Sequence, residues 1–234
     1  MRGRSKVRDV DHLGQLRREL DLFAGYLDGD LSAPVEHCGD WDLRDLAGHL
    51  GRENLWAAAA VTEGHGDYEA PPAPTDPAEL AAWFRGTSED LLAALGTDQD
   101  RPAWTLWPPC TTRFWRRRRC METLVHRWDA EHALGIRSEI DPALAADGVA
   151  EVLDSMAPRQ VALARLAAPA YGVRLAADDT ADRWQWGPGD PVATAHAPSA
   201  DLLLMLWQRI PPSDLRWSGD HEAALALLSG PLVP

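Results

Sequence analysis

In the first 140 residues apolar side chains recur at spacings of three and four, the signature of helices with one buried face. Val10, Leu13, Leu16, Leu20, Phe23 and Leu27 predict a helix over residues 8 to about 30, ended by Asp28, Gly29 and Asp30. A second helix is expected after Gly39, with Asp40 or Asp42 as N-cap and Leu43, Leu46 and Leu50 on its apolar side, continuing toward Trp56 and Val61. The Gly- and Pro-rich stretch 64–77 reads as a loop. A third helix follows over 77 to about 95, with Leu80, Trp83, Phe84, Leu91 and Leu92. Another loop, containing Pro102, Pro108 and Pro109, precedes a fourth helix over about 112–134, which Gly135 closes as a left-handed C-cap. Four such helices make a bundle, assigned to residues 1–140.

Beyond Asp141-Pro142 the period changes. A helix over about 143–157 gives way to short alternating segments such as Tyr171, Val173 and Leu175, which read as strand. Arg183-Trp184-Gln185-Trp186 reads as a strand running into the turn Gly187-Pro188-Gly189-Asp190, and 192–196 is expected to pair as the next strand. A helix over 199–209, a strand over 214–218 and a short helix over 222–228 complete a small α/β unit, residues 141–234, with an antiparallel or mixed sheet. The fold class is therefore α+β, a helical bundle followed by a small α/β domain.

Composition narrows the functional classes. Hydrophobic residues are 45% of the chain and charged ones 25%, as in ordinary globular proteins. The formal net charge of −13 repels phosphate backbones and anionic bilayers, so neither nucleic acid nor a membrane is an expected partner. No apolar run approaches the roughly 20 residues of a membrane span, and the basic N-terminus has no apolar segment behind it. Cys38, Cys110 and Cys120 form no CxxC pair and leave one over in any pairing, which suits free thiols in a reducing, cytoplasmic setting. A local exception to the acidic balance is the run Arg113, Arg116, Arg117, Arg118 and Arg119, for which a solvated helix face is the ordinary expectation.

Candidate chemistry lies on the fourth helix. Glu122 and His126 are four residues apart, hence about 40° apart on a helical projection, and project from one face. That spacing suits two ligands of one metal, and equally a surface hydrogen bond. A catalytic zinc site has three protein ligands and an open position. His49, in an apolar context between Leu46 and Leu50, is the best third ligand, while His12, His37, His65, His132, His196 and His221 have poorer contexts. Arg118 and Arg119 lie one turn before Glu122, where they can pair with it. Asp129, three residues after His126, is either a surface acid or the carboxylate that orients an imidazole.

The stretch Cys38-Gly-Asp-Trp-Asp-Leu-Arg-Asp-Leu-Ala-Gly-His49-Leu-Gly and the stretch Glu122-Thr-Leu-Val-His126-Arg-Trp-Asp129-Ala-Glu-His-Ala-Leu-Gly135 resemble the two signature segments of mycothiol-dependent maleylpyruvate isomerases. The resemblance implies a DinB-like four-helix bundle that binds a divalent metal, zinc above all, through His49, Glu122 and His126, followed by a sterol-carrier-like α/β domain. It implies mycothiol as cofactor and a metal-activated thiolate that adds to a cis-enedioyl acid, permits bond rotation and is eliminated to leave the trans isomer. An arginine of the C-terminal domain contributes in that family, and Arg209 matches it in place. Arg118 and Arg119 are further candidates for binding the acid. Two other readings stay open: a mycothiol S-transferase acting on an electrophilic small molecule, and a non-catalytic zinc-binding or sensor module with a closed fourth position.

Overall fold

The computed structural model describes residues 10–234, so residues 8 and 9 of the first predicted helix lie outside the described residues. The described chain forms two compact units, Asp11–Ser138 and Glu139–Pro234.

The first unit is helical. Helix α1, His12–Tyr26, begins where the Asp11 carboxylate accepts the Gly14 N–H at 3.0 Å. It stops short of residue 30 because Gly29 turns back to the Tyr26 carbonyl and Asp30 accepts hydrogen bonds from Ser32 instead. Helix α2, Leu43–Thr62, opens with a capping box in which the Asp42 and Asp45 side chains satisfy each other's backbone N–H. Helix α3, Pro77–Leu95, is capped by Asp76, with proline at its first position. Helix α4, Thr112–Ala133, ends at Gly135, whose φ of 67° is the expected left-handed cap. Helix α1 packs on α3 and α4, and α2 packs on the same two helices. Phe23 of α1 meets Phe84 of α3, with ring centroids 5.0 Å apart, and Leu16, Leu20, Leu46 and Leu50 are buried in the core.

The expectation of a solvated arginine face fails. Of the run only Arg113 is exposed, paired with Asp100, whereas Arg118 and Arg119 are buried. Arg116 donates to the Leu95 and Thr97 carbonyls that the end of α3 leaves unpaired. Helix α4 thus faces neighbours on most sides, and the guanidinium groups of Arg116, Arg118 and Arg119 are held there against oxygen acceptors.

In the second unit the helix predicted to end at 157 continues to 162. Helix α5, Pro142–Glu151, passes through a π turn, Val152–Met156, into helix α6, Ala157–Ala162. Pro158 explains the turn: it has no N–H for the carbonyl one turn back and its ring crowds that carbonyl, so one wider turn makes room. Strands β1 (Gly172–Ala177), β2 (Arg183–Trp186), β3 (Pro191–Ala197) and β4 (Arg216–Gly219) form a mixed sheet in the order β2-β1-β3-β4. β1 pairs antiparallel with β2 and parallel with β3, so β3 does not follow β2 as its neighbour. All of β1 but Arg174 is buried, and the most apolar strand takes an interior position. Helix α7, Ser199–Leu206, packs on β1 and β3 and against α5, and helix α8, His221–Leu228, packs on β3. Helix α7 is shorter than predicted because Gln208 turns left-handed at φ 61°. Among the described residues no helix is long and apolar enough to cross a membrane.

Candidate metal centre

Helices α2 and α4 bring His49, Glu122 and His126 together, with one ligand atom from each lying within 4.8 Å of the others. His49 Nε2 stands 3.7 Å from Glu122 Oε1, and the His49 and His126 rings meet edge to face at 5.4 Å. A tetrahedral cation with bonds of about 2.0–2.1 Å spaces its ligands roughly 3.4 Å apart, so this gap suits a shared ion better than a direct hydrogen bond. The donor set, two imidazole nitrogens and one carboxylate oxygen, is the chemistry of zinc.

Each of the three side chains has a further residue against it. His126 Nδ1 lies 2.9 Å from Asp129 Oδ2, and because a carboxylate only accepts, Nδ1 carries the proton and Nε2 keeps its lone pair. Burial pushes the His126 imidazole below its ordinary pKa, although Asp129 opposes this, and a neutral ring is the form that binds metal. Glu122 Oε2 accepts from Arg119 Nη1 at 2.6 Å and lies 3.5 Å from Arg118 Nε. Burial would raise the Glu122 carboxyl, yet the two guanidinium groups and His49 hold it well below the usual carboxylate range. Arg119 is fully buried and also donates to Asn54 Oδ1 at 2.9 Å and to the Leu50 carbonyl, which ties the Glu122 side of α4 to α2. Trp41 lies against His49, with ring centroids 5.0 Å apart.

Asp129 is 2% exposed, and this burial excludes its reading as a surface acid. Arg209 lies in the second unit, beyond the end of α7, where its guanidinium donates to the Trp207 carbonyl at 2.8 Å and rests over the Trp207 ring. The sequence reading missed three neighbours of the triad. Glu53 follows His49 by four residues, the same spacing that singled out Glu122 and His126, and its carboxyl is pushed up by burial and then by Glu122. A cation between the ligands would offset that repulsion. Asn54 is buried as the acceptor of Arg119, for which the sequence offers no signal. Cys38, inside the first signature stretch, places its Sγ 3.8 Å from Asp129 Oδ2. None of the three cysteines forms a disulfide.

No curated protein sequence matches the chain significantly. In fold it is similar to the crystal structure of the mycothiol-dependent maleylpyruvate isomerase, at 15% identity and a TM-score of 0.66, covering 89% of this chain and 92% of that one. A histidine-to-alanine mutant of that enzyme matches at 14% identity and the same TM-score of 0.66, with the same coverage of both chains. Residues 143–226 match the model of the MDMPI C-terminal domain. Residues 13–131, about half of the chain and including all three triad residues, match the model of the mycothiol maleylpyruvate isomerase N-terminal domain, and the chain belongs to that family.

Proposed function

We propose that the chain, an enzyme of the mycothiol maleylpyruvate isomerase family, binds a divalent metal, zinc by its donor set, through His49, Glu122 and His126 and uses mycothiol for cis-trans isomerisation of a small unsaturated acid. The observation that carries this reading is a group of three protein donors whose His49 side chain remains 25% exposed. Three protein ligands beside a solvent opening are the pattern of a catalytic zinc, whereas a structural zinc is closed by four. When bound, such a cation supplies the charge that lowers the pKa of an incoming thiol and makes it a nucleophile.

The chain's own residues set the geometry. Asp129 holds the His126 tautomer, and Arg119 and Arg118 hold Glu122 by one oxygen so that the other faces His49. These two arginines are 0% and 3% exposed, which favours a role in positioning Glu122 over contact with the acid. Arg209, in the second unit, is the residue that family resemblance puts forward as a catalytic arginine. Beside the triad, Glu53 also lines a cavity of about 300 Å³ with Arg52, Trp56, Tyr68 and Ala70, space for part of a small ligand.

The test is turnover of a cis-enedioyl acid by zinc-loaded protein with and without mycothiol, with products followed by NMR. Thiol-dependent appearance of the trans isomer, lost in His126→Ala, supports the reading. A stable thioether product would show a transferase instead, and metal content unchanged by His126→Ala would remove the triad.

A further inference from the structure

A second cluster of metal-ligating side chains stands outside the triad. Glu36 and His37 precede α2 and His132 closes α4, and one ligand atom from each lies within 4.8 Å of the others. We propose that Glu36, His37 and His132 form a second binding site for a divalent transition cation, of the zinc or nickel type, on the surface of the helical unit.

The loop that carries two of the three ligands is fixed by its backbone. Val35 N–H donates to the Trp41 carbonyl at 2.9 Å, Cys38 N–H to the Val35 carbonyl at 3.0 Å, and Gly39 turns the chain at φ 71°. The rings are arranged by stacking: His132 lies 4.9 Å from Trp128 at an interplanar angle of 8°, and His37 lies 5.7 Å from Trp128 and 5.6 Å from His132. The 2.9 Å contact of His132 Nε2 with Glu36 Oε2 accounts for that pair as an ion pair. His37 also acts electrostatically on Glu36, so both imidazoles converge on one carboxylate. Two imidazole nitrogens and a carboxylate oxygen gathered within 4.8 Å are a donor set that a zinc-type cation takes. Nitrogen donors exclude calcium and magnesium, which take oxygen ligands. Glu36 and His132 are exposed, so water can complete the coordination. The next residue, Cys38, touches Asp129, which orients His126, so a cation here would also brace the loop beside the first site.

Titration of the chelator-treated full chain with Zn2+ decides the matter. Wild type should bind two equivalents, and His132→Ala and His37→Gln should each bind one, or bind the second at least tenfold more weakly. Ni2+ should quench part of the tryptophan emission, and Trp128→Phe should abolish that component. Unchanged stoichiometry in both histidine variants, or equal Ni2+ quenching in Trp128→Phe, would overturn the proposal. His49→Ala separates the two sites: failure of the triad reading leaves stoichiometry unchanged in His49→Ala, while His132→Ala still lowers it.

Discussion

Asp129 shows how much one side chain away from the ligand positions can decide. Its carboxylate accepts the Nδ1 proton of His126 at 2.9 Å while almost wholly buried. Asp129→Asn keeps the shape, but an amide can present its NH2 to Nδ1 and stabilise the tautomer that protonates Nε2, the wrong one for a ligand. Metal affinity should therefore fall about 10–100-fold, read by competition with a chromophoric chelator, with the circular dichroism spectrum unchanged. An affinity equal to wild type would mean that Asp129 serves packing alone. The pairing of Glu122 with His126 was legible because helical spacing puts both on one face, and His49 because an imidazole among leucines needs a reason to be there. Cys38 and Asn54 were not legible. Their contacts with Asp129 and Arg119 span 91 and 65 residues, and local spacing carries no information at that range.

At the scale of elements, helix boundaries followed from caps, whereas buried charge and strand order did not. Arg127 of α4 is buried between Glu19 of α1, to which it donates through Nε, and Glu131, which also accepts from Tyr26 at 2.5 Å. Burial pushes the Glu19 carboxyl up and Arg127 opposes it, so removing the guanidinium leaves carboxylates without a counter-charge. Arg127→Met should cost about 3–5 kcal/mol, seen as a lower urea midpoint, and adding Glu19→Gln and Glu131→Gln should recover part of it. A loss that these partners do not relieve would assign the effect to packing. Strand order within the mixed sheet was not legible, because a strand, a Gly-Pro turn and a strand look like a hairpin. Instead, the 187–190 link crosses the start of β1: a Cβ on Gly187, at φ 92°, would lie 1.9 Å from the Tyr171 carbonyl oxygen. Gly187→Ala should therefore destabilise the second unit by roughly 1–3 kcal/mol in thermal unfolding, and a neutral effect would mean that the crossing is not tight.

For the molecule as a whole, the change of hydrophobic period near residue 140 falls close to the division between the compact units, and each family match lies within one of them. A net charge of −13 is an average over the chain and hides the local balance at the triad, where Arg118 and Arg119 stand against Glu122. The triad joins α2 to α4, so a cation held there would bind the folded unit alone and stabilise it. Free zinc at a hundred times its dissociation constant adds about 2.7 kcal/mol to folding, which in a domain of this size raises the melting temperature by roughly 10 °C. Calorimetry of the chelated chain with added zinc should show this rise in the transition of the helical unit. The gain should be cut in His49→Ala and His126→Ala, leaving at most what a second cation site supplies. Should His49→Ala keep the full shift, the stabilising ion sits elsewhere and the triad is a hydrogen-bonded cluster of α2 and α4, with no metal for the thiol to meet.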